Sequence, residues 1–397
     1  MSLPFSFSRH ERRLLLSFLL FIVAWPVFGT FTSTFLWRES QNFSTIMVFQ
    51  IGLYTGLPLG FLLNSVLLHR FASKKIFFFG CILQGVGPLL LTLLHPSSPI
   101  AILLLGACLG FPMGLYWGNR NLLTLCATEG KSRMYFLSRE SFQNSLAEII
   151  IPVLIGLFIA RNGGEVSDRY LLVTILAFGL LLLASMVSTT INLKIPRLRL
   201  PSPWITNASS LWNRLRQFEF FDGIITANEG ALSLLIILTL LGLEDAVGGA
   251  KSGIALLAAT LMFLFGRYVR PKDYMRILFF SFLAIGISSL WFAITFDVPG
   301  AIFFFASLGF VSGFRSTSMM AVVYGATEKE VAQTKKDRFA YLLDRELFLN
   351  LGRLLVFFSL FVCSSLAPIA AVRYGLLFTA LLHLPLMWVL KKIQKAK

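Results

Sequence analysis

Apolar residues fill this chain in long runs of about twenty, each closed by a short polar stretch. None of the runs alternates as a half-buried strand does. Backbone groups in hydrocarbon must be satisfied within their own segment, so each run predicts a membrane-spanning helix. Twelve can be drawn: 14–37, 44–68, 76–94, 100–125, 141–160 and 170–193, then 221–243, 247–268, 275–296, 301–324, 347–366 and 372–390.

The polar positions at the ends of these runs carry a repeat. Tyr135 to Asn144 reads Tyr-Phe-Leu-Ser-Arg-Glu-Ser-Phe-Gln-Asn, and Tyr341 to Asn350 reads Tyr-Leu-Leu-Asp-Arg-Glu-Leu-Phe-Leu-Asn. Tyr, Leu, Arg, Glu, Phe and Asn recur in order at an offset of 206 residues. Upstream, Leu109-Gly110-Phe111, Gly114 and Ala127-Thr128-Glu129 return as Leu308-Gly309-Phe310, Gly313 and Ala326-Thr327-Glu328 at an offset of 199, a longer loop in the second copy accounting for the difference. The chain therefore reads as a duplication. The expected fold is an all-α membrane protein of 12 transmembrane helices in two pseudo-symmetric six-helix bundles, residues 1–193 and 220–397, joined by a linker at 194–219. An even number of spans in each half makes the repeat parallel, about an axis along the membrane normal. Pro196, Pro201 and Pro203 interrupt the linker, and the Trp, Leu and Arg mixture at 210–216 suits a short helix on the inner interface.

Composition agrees: 56% of residues are hydrophobic and 14% charged. The net charge of +16 would suggest nucleic acid in a soluble protein, but its placement gives another answer. Of 35 lysines and arginines, 27 fall in the seven segments on one side, three lie within spans, and Arg38, Arg161, Arg169, Lys251 and Arg373 are assigned to the other side. Such an imbalance predicts an integral multi-pass protein of a bacterial inner or plasma membrane with both termini cytoplasmic. No nucleic-acid partner is implied. Arg9, Arg12 and Arg13 precede a first run read as a retained span. Four scattered cysteines and four scattered histidines indicate neither disulfides nor a metal site, and no cofactor is expected.

The six-plus-six parallel duplication, the long basic central loop and the length together resemble the major facilitator superfamily over essentially the whole chain. That family's signature between spans two and three, Gly-x-x-x-Asp-Arg-x-Gly-Arg-Lys, is met here by Ser65-Val66-Leu67-Leu68-His69-Arg70-Phe71-Ala72-Ser73-Lys74-Lys75, in which Arg70 and Lys74 match. Ser65, His69 and Ala72 stand where the family has its glycines and aspartate, and Gly266 to Arg270 keeps less still. The resemblance implies a monomeric carrier of small solutes in the lipid bilayer, and it sets the repeated Tyr-x-x-x-Arg-Glu-x-Phe-x-Asn pattern where the family has its cytoplasmic gate.

Ionisable side chains inside spans cost roughly 3 kcal/mol at the centre and so default to functional candidates. Span four repeats glycine at Gly106, Gly110, Gly114 and Gly118, a ridge where another backbone can approach. Arg120, and Arg315 on span ten, point away from such ridges, toward either an aqueous cavity or a carboxylate; the bland alternative is a snorkelling or purely structural arginine. By the 199 offset Arg315 matches Tyr116, so any cavity would be asymmetric. Glu140, Asn144 and Glu148 form one stripe on span five, mirrored by Glu346, Asn350 and Arg353 on span eleven. With Arg139 and Arg345, the mouth residues of these stripes read as ion pairs and hydrogen bonds that clamp a gate. Glu148, deeper, is either fixed by Arg120 or a substrate or proton site. Asn228 and Glu229 lie midway along span seven, which in the superfamily lines the central cavity, and Glu229 is the first candidate for proton coupling, with a static pair to Arg315 or Arg353 as its alternative. Arg120, Arg315, Arg353, Tyr116 and Asn228 are the substrate-binding candidates.

Three span arginines against two span glutamates favour an anionic, zwitterionic or amphiphilic solute. A secondary carrier is the leading expectation. A non-transporting receptor or scaffold derived from a carrier is the alternative, and an enzyme is not expected, because no cluster of His, Asp or Glu gathers at an interface.

Overall fold

The computed structural model describes residues 7–128, 130–161, 164–191, 205–268, 274–334 and 337–395, and side chains among them outside 130–131, 134, 261–278, 281, 311–322 and 394–395. The chain runs back and forth as α1 (Arg9–Ser40), α2 (Phe43–Leu67), α3 (Ser73–Leu94), α4 (Pro99–Ala127), α5 (Gly130–Ala160), α6 (Val166–Thr189), α7 (Ser210–Leu241), α8 (Glu244–Tyr268), α9 (Tyr274–Thr295), α10 (Val298–Thr334), α11 (Arg338–Leu366) and α12 (Pro368–Lys395). Among the described residues there is no strand, and α-helical segments number thirteen rather than twelve. The difference has a local cause. Pro26 removes a backbone donor inside α1, and the helix relaxes through a π turn, Val27–Phe31, that divides it into Arg9–Pro26 and Thr32–Ser40. A second π turn, Ile237–Leu241, closes α7, so the opening helix of each half carries one. Nine helices among the described residues are long and apolar enough to cross a membrane, and shorter apolar stretches, Phe282–Thr295 and Val298–Phe310, lie in α9 and α10.

Helix starts follow ordinary capping chemistry. Ser8 and Glu11 form a reciprocal capping box on α1, Asn42 caps α2, and Ser98 followed by Pro99 opens α4. Ser209 accepts from the Trp212 amide at 3.0 Å, which sets the start of α7 at Ser210. The stretch 210–216 is thus not a separate interfacial helix but the first turns of α7; the linker residues 194–204 lie outside the described residues. Helices also run past the ends of their apolar runs. Helix α11 begins at Arg338, nine residues before its run at 347, so the repeated Tyr341 to Asn350 motif is helical throughout.

Arg13 bonds the Thr190 carbonyl and Arg214 bonds the Lys392 carbonyl at 2.7 Å, which places the starts of α1 and α7 and the ends of α6 and α12 on one face, the terminal face. Inside the first half, α2 and α4 interlock. A Cβ at Gly110 would collide with the Leu53 carbonyl, and one at Gly56 with the Ala107 carbonyl, so glycine is required on both sides of the contact. The ridge expected on α4 therefore meets a second ridge on α2.

The halves meet along two seams. In one, Pro152 and Gly156 of α5 pack backbone to backbone on Gly248 and Glu244 of α8, and the Val153 amide donates to Ser252 at 3.2 Å. In the other, Tyr54 of α2 stacks on Phe357 of α11 with ring centres 5.1 Å apart. Large apolar side chains such as Leu104, Leu176, Phe280 and Leu381 stay exposed around the outside, the surface that lipid covers in a bilayer.

Candidate solute site between the halves

A cavity of about 220 Å³ opens where the two seams diverge. Helix α1 contributes Trp25 and the π-turn residues Phe28, Gly29 and Thr30, which a regular helix would present at a different angle. From α2 and α4 come Ile46, Gln50, Leu53, Tyr54 and Met113; from the second half come Thr226, Ala227, Gly230, Ala231 and Leu234 of α7, Lys251 of α8 and Phe357 of α11. Both halves thus share the wall. Lys251 is the one charged lining residue among the described side chains. Its electrostatic partner is Glu148 on α5, and the two act on each other across a gap wider than an ion pair.

The halves touch on both sides of this cavity. On the far face Arg38 of α1 makes two bonds to Glu244 of α8, at 2.6 and 2.7 Å, while the Tyr170 hydroxyl donates to the same carboxylate at 3.0 Å. Nearby, Ser44 of α2 meets Ser364 and Ser365 of α11 at 3.3 and 3.1 Å. Toward the terminal face the Tyr324 hydroxyl donates to Asn121 at 3.4 Å, Phe61 stacks on Phe339, and Arg133 of α5 pairs with Glu328 of α10 at 2.9 Å. Glu328 closes the repeated Ala-Thr-Glu triplet, so a duplicated residue forms the cross-half ion pair.

The sequence candidates distribute around this frame unevenly. Arg120 pairs with Glu140, donates to Asn121 at 3.2 Å and sits over the rings of Trp117 and Phe18 at 4.8 and 5.0 Å; its carboxylate is Glu140, not the deeper Glu148. Tyr116 is buried in the first half, stacked on Phe21, away from the cavity. Asn228 faces α12, donating to the Gly375 carbonyl at 2.9 Å and to Thr379 at 2.6 Å. Glu229 also turns to α12, with its carboxylate 3.6 Å from His383, which lies against Phe282 of α9. The cavity takes the opposite side of α7. Arg353 lies just beyond the cavity floor, 5.0 Å over the Tyr54 ring and 3.4 Å from Glu346, whose side chain also accepts from Asn350 at 2.9 Å. The Arg315 side chain lies outside the described residues.

Among the other mouth residues, Arg345 pairs with Glu219 at 2.7 Å inside the second half, Arg139 is exposed over the Phe142 ring, and Asn144 is half-buried. Lys251 is the residue that sequence reasoning missed. It was assigned to the far-side charges, yet helix α8 begins at Glu244, which puts Lys251 about two turns inside. The signal was available, because Lys251 already lies within the apolar run 247–268.

A cavity walled by both halves of a duplicated bundle has a recognisable counterpart. The family model of the Major Facilitator Superfamily matches residues 14–335. The chain belongs to this superfamily. The fold agrees: the Escherichia coli fucose:proton symporter FucP superposes with a TM-score of 0.66 at 13% identity, covering 96% of this chain and 98% of that one. An auto-inhibited peptide transporter of the POT family gives 0.68 at 10% identity, covering 98% and 97%. In sequence the chain is similar to the Bacillus subtilis uncharacterized protein YqgE, 24% identical over 344 residues that cover 82% of this chain and 76% of that protein. Membership makes the chain a multi-pass membrane protein of a transporter superfamily.

Proposed function

We propose that this superfamily member is a secondary carrier working by alternating access, coupled to protons, for a small anionic, zwitterionic or amphiphilic solute. The observation that carries the reading is the cavity shared by both halves, with an interfacial charge on Lys251 and cross-half contacts on either side of it. Residues 1–193 and 220–397 then act as the two moving bodies of a monomer, with both termini cytoplasmic. Opening requires one set of cross-half contacts to part while the other holds. Arg38 with Glu244 serves as the outer latch and Arg133 with Glu328 as the inner one.

Coupling is assigned to Glu148 in preference to Glu229, because Glu148 acts on the lining ammonium while Glu229 lies against His383. A proton on Glu148 removes the charge that balances Lys251 and so changes what the cavity binds. The other polar groups along that stripe are Asn144 and the Glu140 to Arg120 pair, both nearer the terminal face.

The test is a cysteine at Ala231, a cavity residue of α7. In right-side-out and in inside-out vesicles an impermeant thiol reagent, read by peptide mass spectrometry at position 231, is expected to label it from both faces. Labelling from a single face would replace the carrier by a receptor with one open side. The ratio of labelling from the two faces is expected to change between mildly acidic and mildly alkaline medium, to lose that dependence in Glu148→Gln, and to keep it in Glu229→Gln.

A further inference from the structure

Building on the carrier reading, we infer that the cavity takes an amphiphilic monoanion, a carboxylate held by Lys251 with a flat apolar body lodged among Trp25, Phe28, Tyr54 and Phe357. The charge count comes first. Lys251 is the one charged side chain in the described lining, and no described carboxylate reaches it at ion-pair distance. With Glu148 beyond ion-pair distance the ammonium is only partly balanced, and an incoming carboxylate at contact distance completes the neutralisation. A second anionic group on the solute would find no cation in the described lining, and a cationic solute would meet like charge.

The rest of the wall argues for the body. Trp25 and Phe28 approach from α1, and Tyr54 and Phe357, stacked at 5.1 Å and 12°, close the floor. Aromatic faces of this kind favour a planar apolar partner. The polar lining is sparse and partly committed: Thr226 donates to the Asp222 carbonyl at 2.6 Å and the Gln50 amide donates to Ser33 at 3.1 Å, which leaves the Thr30 and Tyr54 hydroxyls and the Gln50 carbonyl among the described lining groups. A sugar or nucleoside, with many hydroxyls, would leave most of them without partners, which is costly for each. The volume, about 220 Å³, lies below the roughly 300–1,000 Å³ of drug-sized sites, so the body is a single ring or short chain.

The probes are phenylacetate, its neutral counterpart phenylacetamide, the cation 2-phenylethylamine and the dianion 1,4-phenylenediacetate, each tested for protection of Ala231→Cys against thiol labelling. Phenylacetate is expected to protect at concentrations at least about tenfold lower than the amide and the amine, which lack the charge-assisted bond, and than the dianion, whose second carboxylate would be left unpaired. Lys251→Met should abolish the preference and Lys251→Arg should retain it. The inference falls if phenylacetate gives no protection, if amide or amine protects as well as the acid, or if Lys251→Met keeps the preference. Should Lys251→Met fail to fold, the acid against amide comparison in Ala231→Cys decides alone. Labelling from both faces without ligand tests the carrier reading separately. An acid preference with one-sided labelling would leave the ligand class standing on a receptor, whereas two-sided labelling without the preference would leave a carrier for some other solute.

Discussion

Arg120 shows what a charge inside this bundle requires. Its guanidinium is largely buried and is neutralised by Glu140, with two aromatic faces over it. Removing the carboxylate strands the cation, at a cost of about 3–5 kcal/mol, whereas replacing both partners by apolar residues of similar size costs little. Glu140→Gln is accordingly expected to lower the thermal midpoint in detergent sharply, and the double variant Arg120→Met, Glu140→Met to recover most of it. Equal losses in the single and the double variant would show that the pair is not the source. The stripe of Glu140, Asn144 and Glu148 was legible from four-residue spacing, but its partner was not. Which carboxylate an arginine on α4 reaches depends on how far α4 is shifted along α5, and hydropathy carries no record of that shift. Asn228 and Glu229 turn to α12 rather than to the cavity described above for a related reason: periodicity tells which residues share a side of α7, not which way that side turns.

At the level of helices the sequence was most informative where backbone meets backbone. The four-residue glycine spacing on α4 predicted a close approach, and α2 supplies the other surface through Gly52, Gly56 and Gly60. Gly110→Ala places a methyl on the Leu53 carbonyl and is expected to destabilise by about 1–3 kcal/mol, as overpacking does. Gly179→Ala on α6 has open space around it and should leave the thermal midpoint unchanged. A neutral Gly110→Ala would mean that α2 and α4 can separate. The π turns were not legible. Pro26 signals a break in α1, but the second turn, Ile237–Leu241, contains no proline and arises in packed surroundings. Helix starts lay ahead of every apolar run, as with α11, because a helix does not begin where its residues become apolar, while the ends at 189 and 241 fell short of the runs to 193 and 243.

For the whole molecule, duplication and charge placement were enough to anticipate the architecture, while of the cross-half ion-pair residues only Glu328 lies in the repeat. Arg38 and Glu244 bridge one side of the cavity, Arg133 and Glu328 the other. If these are opposed latches, Arg38→Met should raise labelling of Ala231→Cys from the far face and lower it from the terminal face. Arg133→Met should do the reverse. Identical responses to both would mean that the two contacts merely add to stability. One feature constrains how such a change can happen at all. Because α2 and α4 are meshed carbonyl against glycine along three successive turns, neither can slide past the other without lifting clear first. That part of the first half is a stiff lever, and the bending that lets a passenger through has to be absorbed elsewhere, where Pro26 and the widened turns have already loosened the spring.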